Sequence, residues 1–490
     1  MLAWLMLGLA CSLYMAMNWQ LRKFGEVTYE QILFHMNISL DAESKLLASF
    51  LQNTVMTTAI VLAVVYGVSK LNWGKLSGLK NIVAKYRNYL AGGLLLCSGV
   101  YVLVKLNIGE IIADYQASSV VSDFYEKYYQ DPVAVSMTAP KQKRNLVLIF
   151  VESAEATFLR KEYRQSDNKA IMPELYELAK NNLNFSHDQD IGGSIQVDGS
   201  QWTQAGLVAQ TCGIPLHLPI ANHNKFLPKH GYLPKAWCLT DILRQQGYNQ
   251  TFLTGMEKSY AGVSKFFKSH GRPKVLSWKN WQKKYRLDDN HDKIRKRILR
   301  DEELYAETRN EISRLAKKDK PFAVIMMTMD THGGDEYFDE RNCELAPAKR
   351  HVNVYNCASK KIGKFVEWIK QQPFYKNTTV VIVNDHLVMN DTIFSKNAER
   401  RNLNVFINSA LQTKQEKGRK FMPFDMYPTI VESLGIKIDG GRLGLGVSLF
   451  GKQPTLAEQG FDTYDKFDDE TSKRSLLYEY LLYGKRAEID

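Results

Sequence analysis

NLVLIFVES, residues 145–153, decides the fold class. Its apolar residues follow one another without the alternation of polar and apolar residues seen in half-exposed strands. Such a run is typical of a strand buried on both faces of a sheet. The run ends in Glu152, a charged residue directly after the strand. From Arg144 onward, similar apolar runs alternate with helical patterns, so we expect an α/β domain with a mostly parallel sheet flanked by helices.

Two further apolar runs end in metal-ligating residue types. PFAVIMMTMDTHGG closes on Asp330 and His332, and TTVVIVNDHLVMND closes on Asp385 and His386. Because ligands bind at the carboxyl ends of parallel strands, we expect these side chains and Glu152 to share one edge of the sheet. Each residue alone also fits a solvated loop position. Together they form the mixed oxygen and nitrogen set that binds Zn²⁺ or Mn²⁺.

The stretch GSQWTQAGLVAQTCGIPL, residues 199–216, has hydroxyl side chains ahead of a predicted helix. A helix N-terminus binds anions and stabilises a developing alkoxide. A hydroxyl placed there beside a divalent metal is an activated nucleophile. Ser200 and Thr203 are both candidates for this role, and both also fit an N-cap.

Three apolar runs precede this domain, starting at Leu2, Thr54 and Tyr89. Each approaches the length of a transmembrane helix. The loop between the second and third runs carries no acidic residue and is rich in basic ones, namely Lys70, Lys75, Lys80, Lys85 and Arg87. Positively charged loops stay in the cytoplasm, so we expect a multi-pass membrane protein in which the chain after about Ile108 lies outside the cytoplasm.

The chain has a formal net charge of +12, but no interleaved aromatic and basic motif supports nucleic-acid binding, and the expected topology removes that partner. An even number of cysteines in the outer domain favours disulfides. The simplest of the three possible pairings joins Cys212 to Cys238 and Cys343 to Cys357. The alternative to bridging is metal binding by these thiols.

These stretches resemble a known group, the sulfatase-like membrane enzymes of the alkaline phosphatase superfamily. Within it the chain is most similar to phosphoglycerol transferases that modify periplasmic glucans, which are related to lipoteichoic acid synthase. The resemblance covers residues 145–449 and rests on LIFVESAEATF, QWTQAGLVAQTCGIPL, GMEKSYAGVSKFFKSHG, TMDTHGGDEYF and NDHLVMNDT.

The resemblance implies a site with one divalent metal, Mn²⁺ with Zn²⁺ or Mg²⁺ as alternatives. It implies Glu152, Asp385 and His386 as ligands, with Thr203 as fourth ligand and nucleophile. Thr203 stands in the same relation to Pro215 as the nucleophile of related enzymes to the proline after its helix. Ser200 does not stand in this relation to Pro215, so we expect it to be a cap or turn residue.

The same comparison implies that His332 contacts the substrate and acts as acid or base, with Asp330 orienting it. Val263 stands where related enzymes have a lysine. We therefore expect the anion contact to come from Lys258, Lys265 or His270. The alternative for these three is a solvated basic face.

The implied reaction is a double displacement. Thr203 attacks phosphatidylglycerol and releases diacylglycerol, and a hydroxyl of a periplasmic glucan or other glycan then takes the glycerophosphoryl group. Three alternatives remain open: a phosphoethanolamine transferase acting on lipid A or another glycan, a sulfatase-like phosphodiesterase or hydrolase, and a catalytically silent receptor. The formylglycine motif of sulfatases, Cys or Ser followed by x-Pro-x-Arg, is absent.

We expect four segments: a membrane domain over 1–107, a periplasmic linker helix over 108–143, the catalytic domain over 144–455 and a tail over 456–490. The tail is charged and aromatic and carries no recognisable motif; a closing helix and a mobile tail are both open. The protein is expected to be a monomer.

Overall fold

The computed structural model describes residues 1–24, 48–71, 77–160, 170–217, 233–258, 260–289, 297–332, 338–339, 341, 343, 350–389, 393–394 and 398–484. The chain divides into two compact units, residues 1–116 and 117–490.

The first unit is built from long apolar helices: α1 (Leu2–Phe24), α2 (Thr57–Lys70, which continues a π-helical turn over Leu51–Met56), α3 (Ser77–Lys105) and the start of α4 (Ile108–Ala117). Three segments are long and apolar enough to cross a membrane, namely Leu2–Arg22, Ala48–Lys70 and Ser77–Lys105. Gly8 of α1 faces Leu62 of α2, since a Cβ at Gly8 would lie 3.6 Å from the Leu62 side chain. The three apolar helices expected from the sequence are confirmed; Lys75 of the basic loop lies outside the described residues.

The second unit is centred on a six-stranded sheet. Its strands are β2 (Asn145–Val151), β3 (Asn249–Thr254), β4 (Lys274–Leu276), β5 (Phe322–Met327), β6 (Thr378–Asn384) and β7 (Asn404–Ile407). They lie side by side in the order β4-β3-β5-β2-β6-β7. All pairs are parallel except β6 with the edge strand β7. The mostly parallel sheet is therefore confirmed, and β2 lies between the other two strands that end in metal-ligating residues.

Helices and short strands surround this sheet. The helices are α5 (Phe124–Tyr128), α6 (Pro173–Lys180), α7 (Thr203–Cys212), α8 (Leu239–Gln245), α9 (Val263–Ser269), α10 (Trp278–Tyr285), α11 (Asp301–Ala316), α12 (Arg350–Lys370), α13 (Met426–Ser433), α14 (Tyr464–Thr471) and α15 (Leu476–Tyr483). The short strands form two antiparallel pairs, β1 (Met137–Thr138) with β8 (Lys437–Ile438) and β9 (Arg442–Leu443) with β10 (Gly446–Val447).

The core explains why the central strands show no alternation in sequence. Every residue of β2, β5 and β6 is buried. On one face of β2, Val147, Ile149 and Val151 join a large apolar cluster that includes residues of α11 and α12. Helices therefore cover the strands, and polar groups are confined to the strand ends.

Both expected disulfides are present, Cys212–Cys238 and Cys343–Cys357. The first joins the end of α7 to the residue that precedes α8. Gly213 follows Cys212 with a φ of 69°, the left-handed conformation that ends many helices. The bridge and the glycine together fix the C-terminal end of α7.

We expect replacement of both Cys212 and Cys238 by serine to destabilise the second unit by about 3.5 kcal/mol, because the bridge no longer restricts the unfolded chain. The measurement is the unfolding temperature of the full-length protein in detergent, with and without reductant. Reductant should lower the unfolding temperature of the wild type more than that of the double variant. Equal shifts in both proteins would contradict this prediction.

Candidate active site

The strand register brings two carboxylates together. Val151, the last residue of β2, lies opposite Asn384, the last residue of β6. Glu152 and Asp385 follow directly and leave the sheet side by side. His386 is the next residue, so one edge of the sheet collects two carboxylates and an imidazole.

These three side chains are close enough to share one cation. Glu152, Asp385 and His386 each offer a ligand atom within 4.8 Å of the others. His386 Nε2 lies 3.4 Å from Glu152 Oε1 and 3.4 Å from Asp385 Oδ2. All three residues are at most 2% exposed. Such a buried cluster is unfavourable unless a cation or protons balance its charge.

The hydrogen bonds around the cluster leave one oxygen of each carboxylate and one nitrogen of His386 available to bind a cation. Ser153 Oγ donates to Glu152 Oε1 at 2.7 Å, and Ser153 N donates to Asp385 Oδ1 at 2.9 Å. His386 Nδ1 lies 2.7 Å from the carbonyl oxygen of Leu387, so Nδ1 donates to that oxygen and Nε2 is the nitrogen that can bind a cation once it has lost its proton. Among the described residues, Glu152 Oε2 and Asp385 Oδ2 have no hydrogen-bond partner. This donor set fits a divalent cation.

The charges of the metal-free cluster shift its pKa values in opposite directions. Burial and the charge of Glu152 raise the pKa of Asp385 to about 7. Burial alone would also raise the pKa of Glu152, but the nearby His332 and His386 lower it to about 2. Burial opposes protonation of His386, yet Asp385 and Glu152 raise its pKa to about 9. A bound cation would replace these protons.

Helix α7 places Thr203 on the face that meets this cluster. Residues 203, 206 and 210 share one side of a helix. A Cβ at Gly206 would lie 1.9 Å from the carbonyl oxygen of Asp385, and Gln210 Nε2 donates to the carbonyl oxygen of Asn384 at 2.7 Å. Gly206 therefore allows the helix to approach the end of β6. Thr203 is the first residue of α7 and lies on this same side.

Ser200 closes the turn ahead of the helix. Its Oγ donates to the carbonyl oxygen of Val197 at 2.6 Å and accepts from the Val197 N–H at 3.2 Å. The N-cap position belongs to Trp202, which makes no side-chain cap. The N-cap alternative for Ser200 and Thr203 is therefore wrong. Ser200 is a turn residue.

His332 lies at the same edge of the sheet. Its N–H bonds to the carbonyl oxygen of Met329 in the turn after β5, and its charge is among the causes of the low pKa of Glu152. The Tyr260 ring faces it at 6.2 Å between centroids, with the planes 80° apart. His332 is only partly buried, so a substrate can reach it.

Asp330 belongs to a buried ion network. Its carboxylate lies 3.0 Å from Arg300 Nε and 3.0 Å from Lys361 Nζ, and Lys361 Nζ is also 2.9 Å from Asp339 Oδ2. Burial opposes the charge of Lys361, but the neighbouring carboxylates hold its pKa above the usual range. Lys361 was not among the predicted site residues, because a lysine inside the helical pattern of α12 resembles a surface residue. Through Asp330 it holds the strand end that carries His332.

We expect Lys361→Met to lower the free energy of unfolding by about 3–5 kcal/mol, because it leaves buried carboxylates facing each other. The matched control is Lys370→Met in the same helix, where the lysine pairs with the exposed Glu367. That change should cost less than about 0.5 kcal/mol. Thermal unfolding of both variants tests this prediction. Similar unfolding temperatures would show that the buried network contributes no more to stability than the exposed pair of Lys370 and Glu367.

The three predicted anion contacts occupy different surroundings. Lys258 is exposed and lines a small cavity at the end of β3 together with Tyr260, the residue that faces His332. Lys265 is exposed on α9. His270 is 2% exposed, and its Nδ1 lies 3.0 Å from Asp241 Oδ2. The surroundings of Lys258 suit a substrate contact best, whereas those of His270 suit a structural role.

The family model for sulfatases matches residues 144–436, more than half of the chain. The chain belongs to the sulfatase family. Phosphoglycerol transferase I of Escherichia coli (strain SMS-3-5) is 30% identical over 335 residues, covering 66% of this chain and 41% of that protein. The corresponding protein of Shigella boydii serotype 18 matches to the same extent. The chain thus spans about two fifths of the length of the curated relatives it matches.

Two solved structures share the sulfatase-family fold. One is a protein of the alkaline phosphatase superfamily from Vibrio parahaemolyticus, with a TM-score of 0.50, 19% identity and coverage of 66% of this chain and 75% of that one. The other is the integral membrane lipooligosaccharide phosphoethanolamine transferase A from Neisseria meningitidis, with a TM-score of 0.52, 15% identity and coverage of 89% and 84%. With its apolar helices, this sulfatase-family chain is a membrane protein with a soluble domain.

Residues beyond the sulfatase-family match reach the loop before Thr203. Tyr464 of α14 donates to Asp198 Oδ1 at 2.9 Å and accepts from Gln201 Nε2 at 2.9 Å. Asp198 Oδ2 lies 3.0 Å from Nδ1 of the buried His217. Burial opposes the charge of Asp198, but His217 lowers its pKa to about 2. The tail thus carries a residue that fixes the loop leading to Thr203.

Helix α15 contacts the segment that follows α7. The Tyr478 hydroxyl donates to the carbonyl oxygen of Pro215 at 2.8 Å and accepts from the His217 N–H at 2.7 Å. Pro215 and His217 follow α7, so the two tail helices contact the segments on both sides of it. Among the two open descriptions of the tail, closing helices are what the described residues 456–484 show.

Proposed function

We propose that this protein is a membrane-anchored phosphoglycerol transferase. It moves glycerol phosphate from phosphatidylglycerol to a hydroxyl of a periplasmic glucan or another envelope glycan. The observation that carries the proposal is the position of Thr203, at the start of α7 and on the helix face that meets Asp385. The curated relatives at 30% identity, named phosphoglycerol transferase I, favour this donor over other phosphodiesters.

In the first step, the Thr203 hydroxyl loses its proton to water, and its oxygen forms a bond to the phosphorus of the lipid. The bond from phosphorus to the diacylglycerol oxygen breaks, and diacylglycerol leaves after His332 supplies a proton to that oxygen. The product on the protein is a glycerophosphoryl ester of Thr203. The N–H groups of the first turn of α7 point toward the phosphoryl oxygens and offset their negative charge.

In the second step, an acceptor hydroxyl forms the new bond to phosphorus and gives its proton to His332. The bond from phosphorus to the Thr203 oxygen breaks, and this oxygen takes a proton from water, which regenerates the free enzyme. Glu152, Asp385, His386 and Thr203 would hold one divalent cation, Mn²⁺ in this proposal. When bound, such an ion lowers the pKa of a ligated hydroxyl and neutralises charge on a phosphoryl group. Lys258 is the proposed contact for the lipid phosphate, with Lys265 and His270 as weaker candidates.

The membrane unit suits a donor that stays in the bilayer. Three apolar helices, each long enough to cross a bilayer, support a position at the membrane that contains phosphatidylglycerol. The basic segment between the second and third helices favours a cytoplasmic position for that loop and a periplasmic position for the soluble domain. We propose the inner membrane as the location and a monomer as the working state.

The test uses the purified full-length chain in liposomes that contain phosphatidylglycerol or phosphatidylethanolamine with a labelled head group. We expect diacylglycerol release from phosphatidylglycerol when Mn²⁺ is present, and transfer of label to added glucan. Release from phosphatidylethanolamine alone would instead identify a phosphoethanolamine transferase. Free glycerol phosphate as the sole product, with every glycan offered, would identify a hydrolase. No cleavage of either lipid would overturn the proposal.

The acceptor needs a separate experiment. Mass spectrometry of periplasmic glucans and envelope glycans from cells with and without the gene should show glycerol phosphate substituents that depend on the gene. A Thr203→Ala allele serves as the control, because it preserves the protein while removing the proposed nucleophile. Identical glycans in all three strains would exclude these acceptors.

A further inference from the structure

The chain around the start of α7 contacts the metal-ligand segment on both sides of Thr203. Before Thr203, the Gln196 side-chain oxygen Oε1 accepts the Leu387 N–H at 2.7 Å. After Thr203, α7 packs on the same segment, where a Cβ at Gly206 would lie 1.9 Å from the carbonyl oxygen of Asp385. The residues that follow Gln196 form a loop that ends directly before Thr203. The position of the Thr203 hydroxyl relative to the ligand cluster therefore depends on how this loop is held.

Tyr464 of α14 bridges two residues of this loop, which we call the nucleophile loop and define as residues 197–202. Its hydroxyl donates to Asp198 Oδ1 at 2.9 Å and accepts from Gln201 Nε2 at 2.9 Å. Asp198 lies near the beginning of the loop, and Gln201 lies near its end, with one residue between it and Thr203. A single oxygen atom from outside the loop thus fixes the spacing between its two ends.

The chemistry of the tyrosine hydroxyl suits this link, because it can donate one hydrogen bond and accept another. Asp198 is 8% exposed, so its carboxylate is left poorly solvated when it loses a donor. A phenylalanine at position 464 would keep the aromatic ring and remove both hydrogen bonds at once. Catalytic groups must be held within about 0.5 Å of the productive geometry by bonds of this kind. Loss of the hydroxyl should therefore displace the start of α7.

We propose that Tyr464 is a positioning residue for the reaction at Thr203. It acts through Asp198 and Gln201, whose spacing orients the first turn of α7 and with it the Thr203 hydroxyl. The inference rests on the proposed function and deepens it. The sulfatase-family match ends at residue 436, so the proposal makes a helix beyond that match part of the machinery that places the nucleophile.

The test compares Tyr464→Phe with the matched control Tyr480→Phe, both in the full-length protein in liposomes. Tyr480 is a partly buried tyrosine of the neighbouring helix α15, and Lys235 Nζ lies 5.5 Å from its ring centroid, a contact that phenylalanine preserves. We expect Tyr464→Phe to lower kcat for lipid cleavage about 10- to 100-fold, the effect of a small misplacement of a reacting group. KM should be unchanged, so kcat and kcat/KM should fall equally. Tyr480→Phe should match the wild type in both constants.

A second variant tests the route through Gln201. Gln201→Leu removes one of the two partners of the Tyr464 hydroxyl and leaves the bond to Asp198, so it should lower kcat by less than Tyr464→Phe does. The double variant should lose no more activity than Tyr464→Phe alone, because both changes break the same link. Multiplied losses would show that the two residues act independently and would overturn the proposal. If Tyr464→Phe does not fold, Gln201→Leu decides, and a wild-type kcat in that variant would overturn the proposal.

Two measurements keep the outcomes distinct. The value of kcat is expressed per mole of folded protein, taken from the amplitude of the unfolding transition, so a loss of folded enzyme does not imitate a loss of positioning. The lipid is whichever one the wild type cleaves, because Tyr464 acts on Thr203 and not on the head group. A wild type that cleaves no lipid would overturn the proposed function and the role of Tyr464 with it. An active wild type whose kcat is matched by Tyr464→Phe, or a raised KM at constant kcat, would overturn only the role of Tyr464.

Discussion

Thr203→Ala should abolish diacylglycerol release, with a loss of about 10⁴- to 10⁶-fold, the range seen when an enzyme loses its nucleophile. The physical reason is that the covalent intermediate requires an oxygen at this position. The helix and its packing should survive, because alanine is a good helix former and Gly206 still meets the Asp385 backbone. The assay is release of diacylglycerol from phosphatidylglycerol in liposomes, together with the unfolding temperature.

Two other hydroxyls serve as controls. Thr211 lies in the same helix, and its Oγ1 donates to the carbonyl oxygen of Leu207 at 2.6 Å, so Thr211→Ala should retain activity. Ser200→Ala removes the turn bonds to Val197 and should lower the unfolding temperature while leaving lipid cleavage measurable. Full activity in Thr203→Ala combined with none in Ser200→Ala would show that the nucleophile has been assigned to the wrong residue.

Removal of divalent metal should destabilise the protein and stop the reaction. Without a cation, the two buried carboxylates of the cluster repel each other. A cation whose free concentration is 100 times its dissociation constant stabilises a protein by about 2.7 kcal/mol. We therefore expect a chelator to lower the unfolding temperature of the wild type. Asp385→Asn should abolish both the response to chelator and activity. Metal content and unfolding temperature, measured with Mn²⁺, Zn²⁺ and Mg²⁺ added back, provide the readout.

Metal binding at this site should depend on pH. Asp385 and His386 have raised pKa values of about 7 and about 9 in the metal-free protein. Below these values the groups hold protons that a cation must displace, so metal affinity should rise as the pH increases through 7 toward 9. The control is Asp425→Asn, since Asp425 is buried but accepts N–H bonds from Met422 and Val447 away from the cluster. Its response to metal should match the wild type; a lost response there would argue against a single local site.

The central sheet was predictable because each of its central strands is an unbroken run of apolar residues in the sequence. Strands buried on both faces show unbroken apolar runs, and parallel strands end on one edge, so Glu152, Asp385 and His386 follow from two short stretches of sequence. The cysteine pairing was also the simplest available. The edge strand β7 is antiparallel, and nothing in its four residues indicated this direction.

The polar contacts around the site were not predictable in the same way. Tyr464 and Asp198 are 266 residues apart, and Lys361 and Asp330 are 31 apart. Such pairs join single polar side chains on different elements, so they leave no periodic pattern in the sequence.

The contacts of α14 and α15 have a consequence for biosynthesis. The loop before Thr203 is held by a hydroxyl that the ribosome adds 266 residues later. Contacts of such long sequence separation form late in folding, after the cost of closing a long loop has been met. A nascent chain that already includes Thr203 therefore still lacks the side chain that supports the neighbouring loop. The segment around Thr203 reaches its final structure only after Tyr464 has been synthesised and α14 has packed against it.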